Sequence, residues 1–127
     1  MIYDLEHSDI NLIEVSKDSA IMYGGVGKTE RSLIKKLSND YNIKVVFTAV
    51  PYKKYLSDVE VNILNEQGQK LVKVISKGPY LYAKIPPGIF TIQAAYQGKI
   101  KKYHHVEVTK RGKKTLYFSW NIEKIID

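Results

Sequence analysis

From Ile43 onward, apolar residues recur at every second position within short runs: IKVVFTAV, DVEVNIL, KLVKVIS, PYLYAKI, GIFTIQAAY, IKKYHHVEV and KTLYFSW. Successive side chains of a strand point to opposite faces, so this period predicts strands with one buried side. The intervening segments, NEQGQ, SKGP, PPG, QGK and KRGK, each contain the glycine or proline that tight turns favour. Strands at roughly ten-residue spacing predict a mainly β chain, a sandwich or barrel. The same alternation assigns the inward set: Val59, Val61, Ile63; Leu81, Ala83, Ile85; Phe90, Ile92, Ala94; Val106, Val108; and Leu116, Phe118, Trp120. At about 25 cal/mol per Å² of buried apolar surface, slipping one strand by a residue would expose its whole inward set and cost several kcal/mol.

Before Ile43 the period changes. In KTERSLIKKLSNDYN, Leu33, Ile34 and Leu37 fall at helical spacing, with Glu30 early and Lys35 and Lys36 late, as the helix dipole prefers. One helix of about three turns is expected, ending near Asn39 or Asn42 and packed on an edge or end of the strands. The expected organisation is an N-terminal segment at 1–23, forming one strand through NLIEV or remaining mobile; a glycine bend and helix at 24–42; a sandwich at 43–121 that makes a single domain with the helix; and a tail at 122–127.

The run GGVGKT at 24–29 is shared in letters with phosphate-binding loops, and its setting, AIMY before and ERSLIKKL after, permits a strand and a helix. Met22 stands where the first loop glycine belongs, and no alternation of strand and helix follows residue 43 to build the parallel sheet such a loop needs. A P-loop nucleotide binder is therefore the disfavoured reading, and the glycines are expected to form a bend leading into the helix.

Composition is ordinary for one globular domain: 127 residues, 44% hydrophobic and 26% charged, without cysteine. The missing thiols exclude disulfides, thiolate metal sites and a cysteine nucleophile. The first fifteen residues lack the pattern of an export signal, so the chain is expected either to stay inside the cell or to be a mature form. No run reaches the roughly 18 apolar residues of a membrane-spanning helix. Net charge is +7, unevenly placed: residues 1–42 carry five Lys/Arg against seven Asp/Glu, and residues 43–127 carry fifteen against six. That bias favours anionic partners as well as solubility.

The stretch from Ser57 to Trp120, with VEVNIL before a glycine turn, then LYAKIPPGIFTIQA, then GK and a closing VEV and LYF, resembles the carboxypeptidase regulatory-like domains, which have the transthyretin (prealbumin) type of sandwich. The GGVG bend and short helix upstream look like the front half of small bacterial envelope proteins with the same sandwich. The resemblance implies a seven-stranded antiparallel Greek-key β-sandwich with one N-terminal helix. It also implies a noncatalytic module, periplasmic or secreted, that contacts a protein or glycan. It transfers no active site: hydroxyisourate hydrolases of transthyretin fold end in Tyr-Arg-Gly-Ser, whereas this chain ends NIEKIID.

No catalytic, cofactor-binding or metal-ligating set stands out. His104 and His105 are neighbours on an expected strand and should point to opposite faces, and Ser57 beside Asp58 lacks the setting of a nucleophile. Candidate partner-binding residues are aromatic and basic. Tyr80 and Tyr82 should share an outer face near Tyr52 and Tyr55, where they serve either as strand filler or as a surface for sugar rings and apolar side chains. Lys99, Lys101, Lys102, Tyr103, Lys110, Arg111, Lys113 and Lys114 cluster around an expected hairpin, suited to an anionic polymer or to protecting a sheet edge. The expected function is a noncatalytic envelope or secreted binding module for a protein or glycan; the alternative is charge-driven binding of nucleic acid or anionic lipid.

Overall fold

The computed structural model describes residues 10–25 and 27–122. In chain order these form β1 (Asn11–Ser16), β2 (Ser19–Gly24), α1 (Lys28–Leu37), β3 (Ile43–Val50), β4 (Lys54–Tyr55), β5 (Val59–Leu64), β6 (Lys70–Ser76), β7 (Tyr80–Lys84), β8 (Gly88–Tyr96), β9 (Lys99–Val108) and β10 (Lys114–Asn121). The chain is mainly β, with two sheets and one helix among the described residues. One sheet runs β1-β2-β7-β3-β10, with the two-residue β4 also paired to β3; the other runs β6-β5-β8-β9.

Each of the seven runs read from the alternation is a strand, and all fourteen residues assigned inward are buried in one cluster between the sheets. Phe47, Phe118 and Trp120 stack along its centre, with ring centroids 6.1 to 6.5 Å apart. Their neighbours Val61, Ile63 and Ile92 come from the opposite sheet and are fully enclosed. The two sheets are also tied at their edges: the Trp120 indole Nε1 donates to the Lys99 carbonyl at 2.9 Å, and the Tyr103 hydroxyl donates to the Tyr117 carbonyl at 2.6 Å. Each bond satisfies a polar tip whose ring body is packed against apolar neighbours.

Three strands lie outside the seven. NLIEV is β1, SAIMYG is β2, and these two form a hairpin that extends the first sheet from β7; KY in the loop PYKKYLSD is β4. The expectation of a wholly antiparallel sandwich is corrected at one pair: β10 runs parallel to β3, in unbroken register from Lys114 opposite Ile43 to Asn121 opposite Val50. Parallel neighbours need a long connection, and here the chain supplies one by building the whole second sheet between them.

The helix also departs from expectation. It packs on the outer face of the first sheet, not on an edge or end, because Met22 and Tyr82 point away from the main core and need cover. Ile34 closes over them together with Ile10, and Leu33, Leu37 and Tyr41 complete this second apolar layer. Ile21, Tyr23, Leu81 and Ala83, one residue out of phase on the same strands, face the main core. Strands β2 and β7 are thus buried on both sides.

Truncating a fully enclosed residue between the sheets should be costly. Ile92→Ala is expected to destabilise the protein by about 2–5 kcal/mol in urea denaturation, with an unchanged midpoint showing that β8 does not face β10 across the core.

Candidate functional site

The bend before the helix explains its glycines locally. A Cβ on Gly78 would collide with the Gly24 carbonyl, and one on Gly25 would meet the Tyr80 ring at 2.9 Å, so two loops approach where neither admits a side chain. Gly25 and Gly27 have φ of 91° and 84°, a conformation glycine adopts without strain. The Gly25 N–H donates to the Glu30 carboxylate at 2.8 Å, placing the chain's own anion at the helix start. Strand β2 has antiparallel neighbours on both sides, so the run GGVGKT joins an antiparallel strand to a helix.

Because α1 starts from that bend, it lies across β2 and β7 but leaves Lys44 of β3 partly exposed and the outward side chains Thr115 and Tyr117 of β10 exposed, while Val46 of β3 is buried. Cross-strand register defines two rows there. Met22, Tyr82, Lys44 and Thr115 are successive neighbours across four strands, and Gly24, Tyr80, Val46 and Tyr117 form the next row. The helix covers the first two members of the first row. Lys44 and Thr115 become the floor of a groove whose wall is the helix.

Two adjoining clefts make up this groove. One, of about 220 Å³, is lined by Lys28, Arg31, Ser32, Lys35, Lys44, Tyr80 and Tyr82. The other, of about 260 Å³, shares Lys35, Lys44 and Tyr82 and continues past Tyr41 to Lys113 and Lys114. Among the described residues, six cationic side chains line the pair, and no Asp or Glu does. The carboxylate of Asp40, near the helix end, is taken by Lys84 at 3.0 Å; that hydrogen bond holds its pKa below the usual carboxylate value.

Aromatic rings hold several of these cations. The Lys44 ammonium lies 4.9 Å from the Tyr80 ring centroid and 5.8 Å from that of Tyr82, and the Arg31 guanidinium lies 5.6 Å from that of Tyr55. Such contacts stabilise by roughly 0.5–1 kcal/mol each at exposed sites. Tyr55 meets Tyr80 edge-on, with centroids 5.6 Å apart, and the Tyr80 hydroxyl donates to that of Tyr55 at 3.3 Å. Burial, then the bond to Tyr55, pushes the Tyr80 phenol up to about 12. Burial also raises Tyr82 and Tyr41; a hydrogen bond with Ser38 opposes it at Tyr82.

The structure thus regroups the residues singled out from sequence. Tyr55 and Tyr80 are in contact and Tyr80 lines the groove, but Tyr82 is corrected from an open surface residue to one 6% exposed, because α1 lies over it. Tyr52 lies in the turn between β3 and β4. The expected basic hairpin is also corrected: β9 borders one sheet and β10 the other, so the chain between Thr109 and Lys113 crosses from sheet to sheet. Lys99, Lys101, Lys102 and Tyr103 stay with β9 on that border, Arg111 sits in the crossing turn, and Lys113 and Lys114 reach the end of the groove. Tyr103 packs edge-on against Phe118 at 4.9 Å, which makes it a bridge between sheets. Sequence alone does not single out Lys28, Arg31, Lys35 and Lys44, although the first three recur at positions i, i+3 and i+7 of the expected helix.

His104 and His105 do not point to opposite faces as expected. The register between β8 and β9 slips between Phe90 and Ile92, leaving both histidines opposite Thr91, with His105 at φ 57°. Both therefore line one cleft of about 420 Å³ with Glu66 and Gln93. Among the described residues no three His, Cys, Asp or Glu side chains converge as metal ligands, and no helix is long and apolar enough to cross a membrane. No family model matches the chain, and no curated protein sequence matches it.

The raised phenol has a testable sign. Tyr80 holds its proton more tightly in the folded state than the ordinary value of about 10, so its contribution to stability is full below that pH and is lost as pH rises through about 12. Phenolate absorbance should show one tyrosine titrating near 12. Tyr55→Phe should bring it part of the way down, since burial, the larger cause, remains; an unchanged titration would show that the two hydroxyls do not interact.

Proposed function

We propose that the protein is a noncatalytic binding module of transthyretin-like sandwich type that holds an anionic partner in the groove between α1 and the outer face of β3 and β10. The observation that carries this reading is the groove lining: among the described residues, six cations from the helix, the floor and the far end, and no carboxylate. Surfaces that serve only solubility intersperse both signs, and a concave run of one sign concentrates field toward its axis.

The resemblance to carboxypeptidase regulatory-like domains supports the same reading. The strands from residue 43 onward fall into β6-β5-β8-β9 and β7-β3-β10, with β5 and β6 joined as a hairpin and β8 returning beside β5 after the chain visits the other sheet. Returns of this kind are the mark of Greek-key sandwiches. That resemblance also suggests a place in the bacterial envelope or outside the cell, where proteins and glycans are the available partners. The groove offers positioned charge and neutral hydrogen-bonding side chains, which suits holding a ligand without transforming it.

Calorimetric titration with polyvinyl sulfate, a polyanion without sugars, bases or amides, tests the groove itself. Affinity should fall steeply as salt rises, and Lys35→Glu combined with Lys44→Glu should weaken binding at least tenfold. Lys101→Glu combined with Lys102→Glu, on the border strand β9, should change it no more than twofold. Equal loss in both variants would sink the reading, since net charge alone would then explain binding.

A further inference from the structure

Resting on the reading of the groove as an anion-binding site, we infer that its ligand is a linear acidic polysaccharide, recognised by the spacing of its carboxylates or sulfates and not by ring stacking. Four features of the groove separate this class from other polyanions.

The first is the spacing of charge. Lys28, Arg31 and Lys35 line one cleft from the same helix, and at about 1.5 Å rise per residue they stand roughly 4.5 and 6 Å apart along its axis. That interval is close to the advance of one pyranose along an extended chain, so each acidic sugar would meet one cation on the wall. Lys44 on the floor and Lys113 and Lys114 at the far end continue the row beyond the helix. Five of the six cations are lysines, compact charges that pair with carboxylate or sulfate without demanding the bidentate geometry of arginine.

The second is the state of the aromatic rings. Sequence-tolerant binding of single-stranded nucleic acid relies on bases stacking against exposed aromatic faces. Here the Tyr80 and Tyr82 rings have Lys44 over them, the Tyr55 ring has Arg31 over it, and Tyr82 lies under the helix. These rings hold cations in place, and the exposed tyrosines nearby, Tyr55 and Tyr117, are not among the side chains that line the clefts.

The third is the backbone. An extended acidic peptide would need partners for its own amides, which peptide-binding folds supply from an open strand edge. In the cleft that holds Lys28, Arg31, Lys35 and Lys44 the floor strands are paired on both sides, β3 to β10 and β7, and β7 to β3 and β2; among the described residues the sheet edge nearest the groove is that of β10, at its far rim. A polysaccharide of uronates or sulfated sugars brings no amide ladder, and its hydroxyls can meet side chains such as Ser32, Asn39 and Thr115, which line the clefts.

The fourth is shape. The helix stands above the sheet on one side, so a broad surface such as a membrane or a duplex would rest on its crest, whereas Lys44 lies partly buried on the floor beside it. A single extended chain can reach it.

The test compares three probes of matched charge number at one salt concentration: a polyuronate hexasaccharide, a hexathymidylate and a hexaglutamate, titrated against the whole chain. The polyuronate should bind at least fivefold more tightly than either comparator. Lys28→Gln with Lys35→Gln, two exposed positions on the helix wall, should weaken polyuronate binding at least tenfold. Lys101→Gln with Lys102→Gln, which removes the same charge from β9, should weaken it less than twofold, with circular dichroism verifying the fold of both variants. The inference is overturned if either comparator binds as tightly as the polyuronate, if the two variants lose equally, or if the polyuronate does not bind. If polyvinyl sulfate still binds through Lys35 and Lys44 in any of those cases, the groove stands and only the ligand class is wrong; if it does not, the groove reading itself has failed.

Discussion

Everything in this molecule depends on two strands of the first sheet, β2 and β7, being buried on both faces. The side chains of β2 and β7 alternate between two apolar layers: Ile21, Tyr23, Leu81 and Ala83 enter the core between the sheets, and Met22 and Tyr82 enter the smaller layer under α1. A one-residue slip of either strand would exchange the two sets, putting Tyr82 where Leu81 packs among fully enclosed neighbours. The register is therefore held from both sides, and the helix position is held with it. Because Ile34 must reach Met22 and Tyr82, the helix axis cannot drift across the sheet toward β3.

That restriction makes the groove. A helix covering only part of a sheet leaves a step at its flank, and the residues at the step are those that β3 and β10 present outward: Lys44, Thr115 and their neighbours. The bend at Gly24, Gly25 and Gly27 sets where the helix begins, through the approach of Gly24 to Gly78 and of Gly25 to Tyr80. Glu30 then occupies the helix start by bonding to the Gly25 amide. The anion-attracting end of the helix is internally satisfied, and the side chains Lys28, Arg31 and Lys35 carry the positive field to the flank instead.

Period two in the sequence was sufficient to identify seven strands and fourteen inward residues, because one driving force, apolar burial between two sheets, decides those positions. It could not reveal β2 in the same way: SAIMYG is buried on both faces, so its apolar residues run together without alternation. Nor does it place Tyr82, which points outward as expected but is covered by a helix that ends 45 residues earlier. The expected basic hairpin failed for a related reason. Adjacent strands joined by a short turn usually pair, yet β9 and β10 are separated by the crossing from one sheet to the other, a consequence of β10 pairing with β3 at the far end of the chain. The histidine pair departs from alternation because a bulge breaks period two at that point of β9. Of the groove, the helical spacing of Lys28, Arg31 and Lys35 was legible, but its meeting with Lys44 required the helix to be set on the sheet.

Collecting six cations along one groove works against folding, since like charges a few ångströms apart repel by roughly 1 kcal/mol even in water-like surroundings and by more near a protein surface. Several features reduce that cost locally. The Tyr80 and Tyr82 rings face Lys44, Tyr55 faces Arg31, and Lys113 donates to the Asn39 carbonyl at the end of the helix. Each of these partners offers partial negative charge without being a carboxylate, so each can restrain a cation without neutralising it. A carboxylate at the same positions would offset the repulsion more fully and would also compete with any incoming anion. Restraint by rings and carbonyls therefore leaves the positive field of the groove uncompensated, as the proposed anion binding requires.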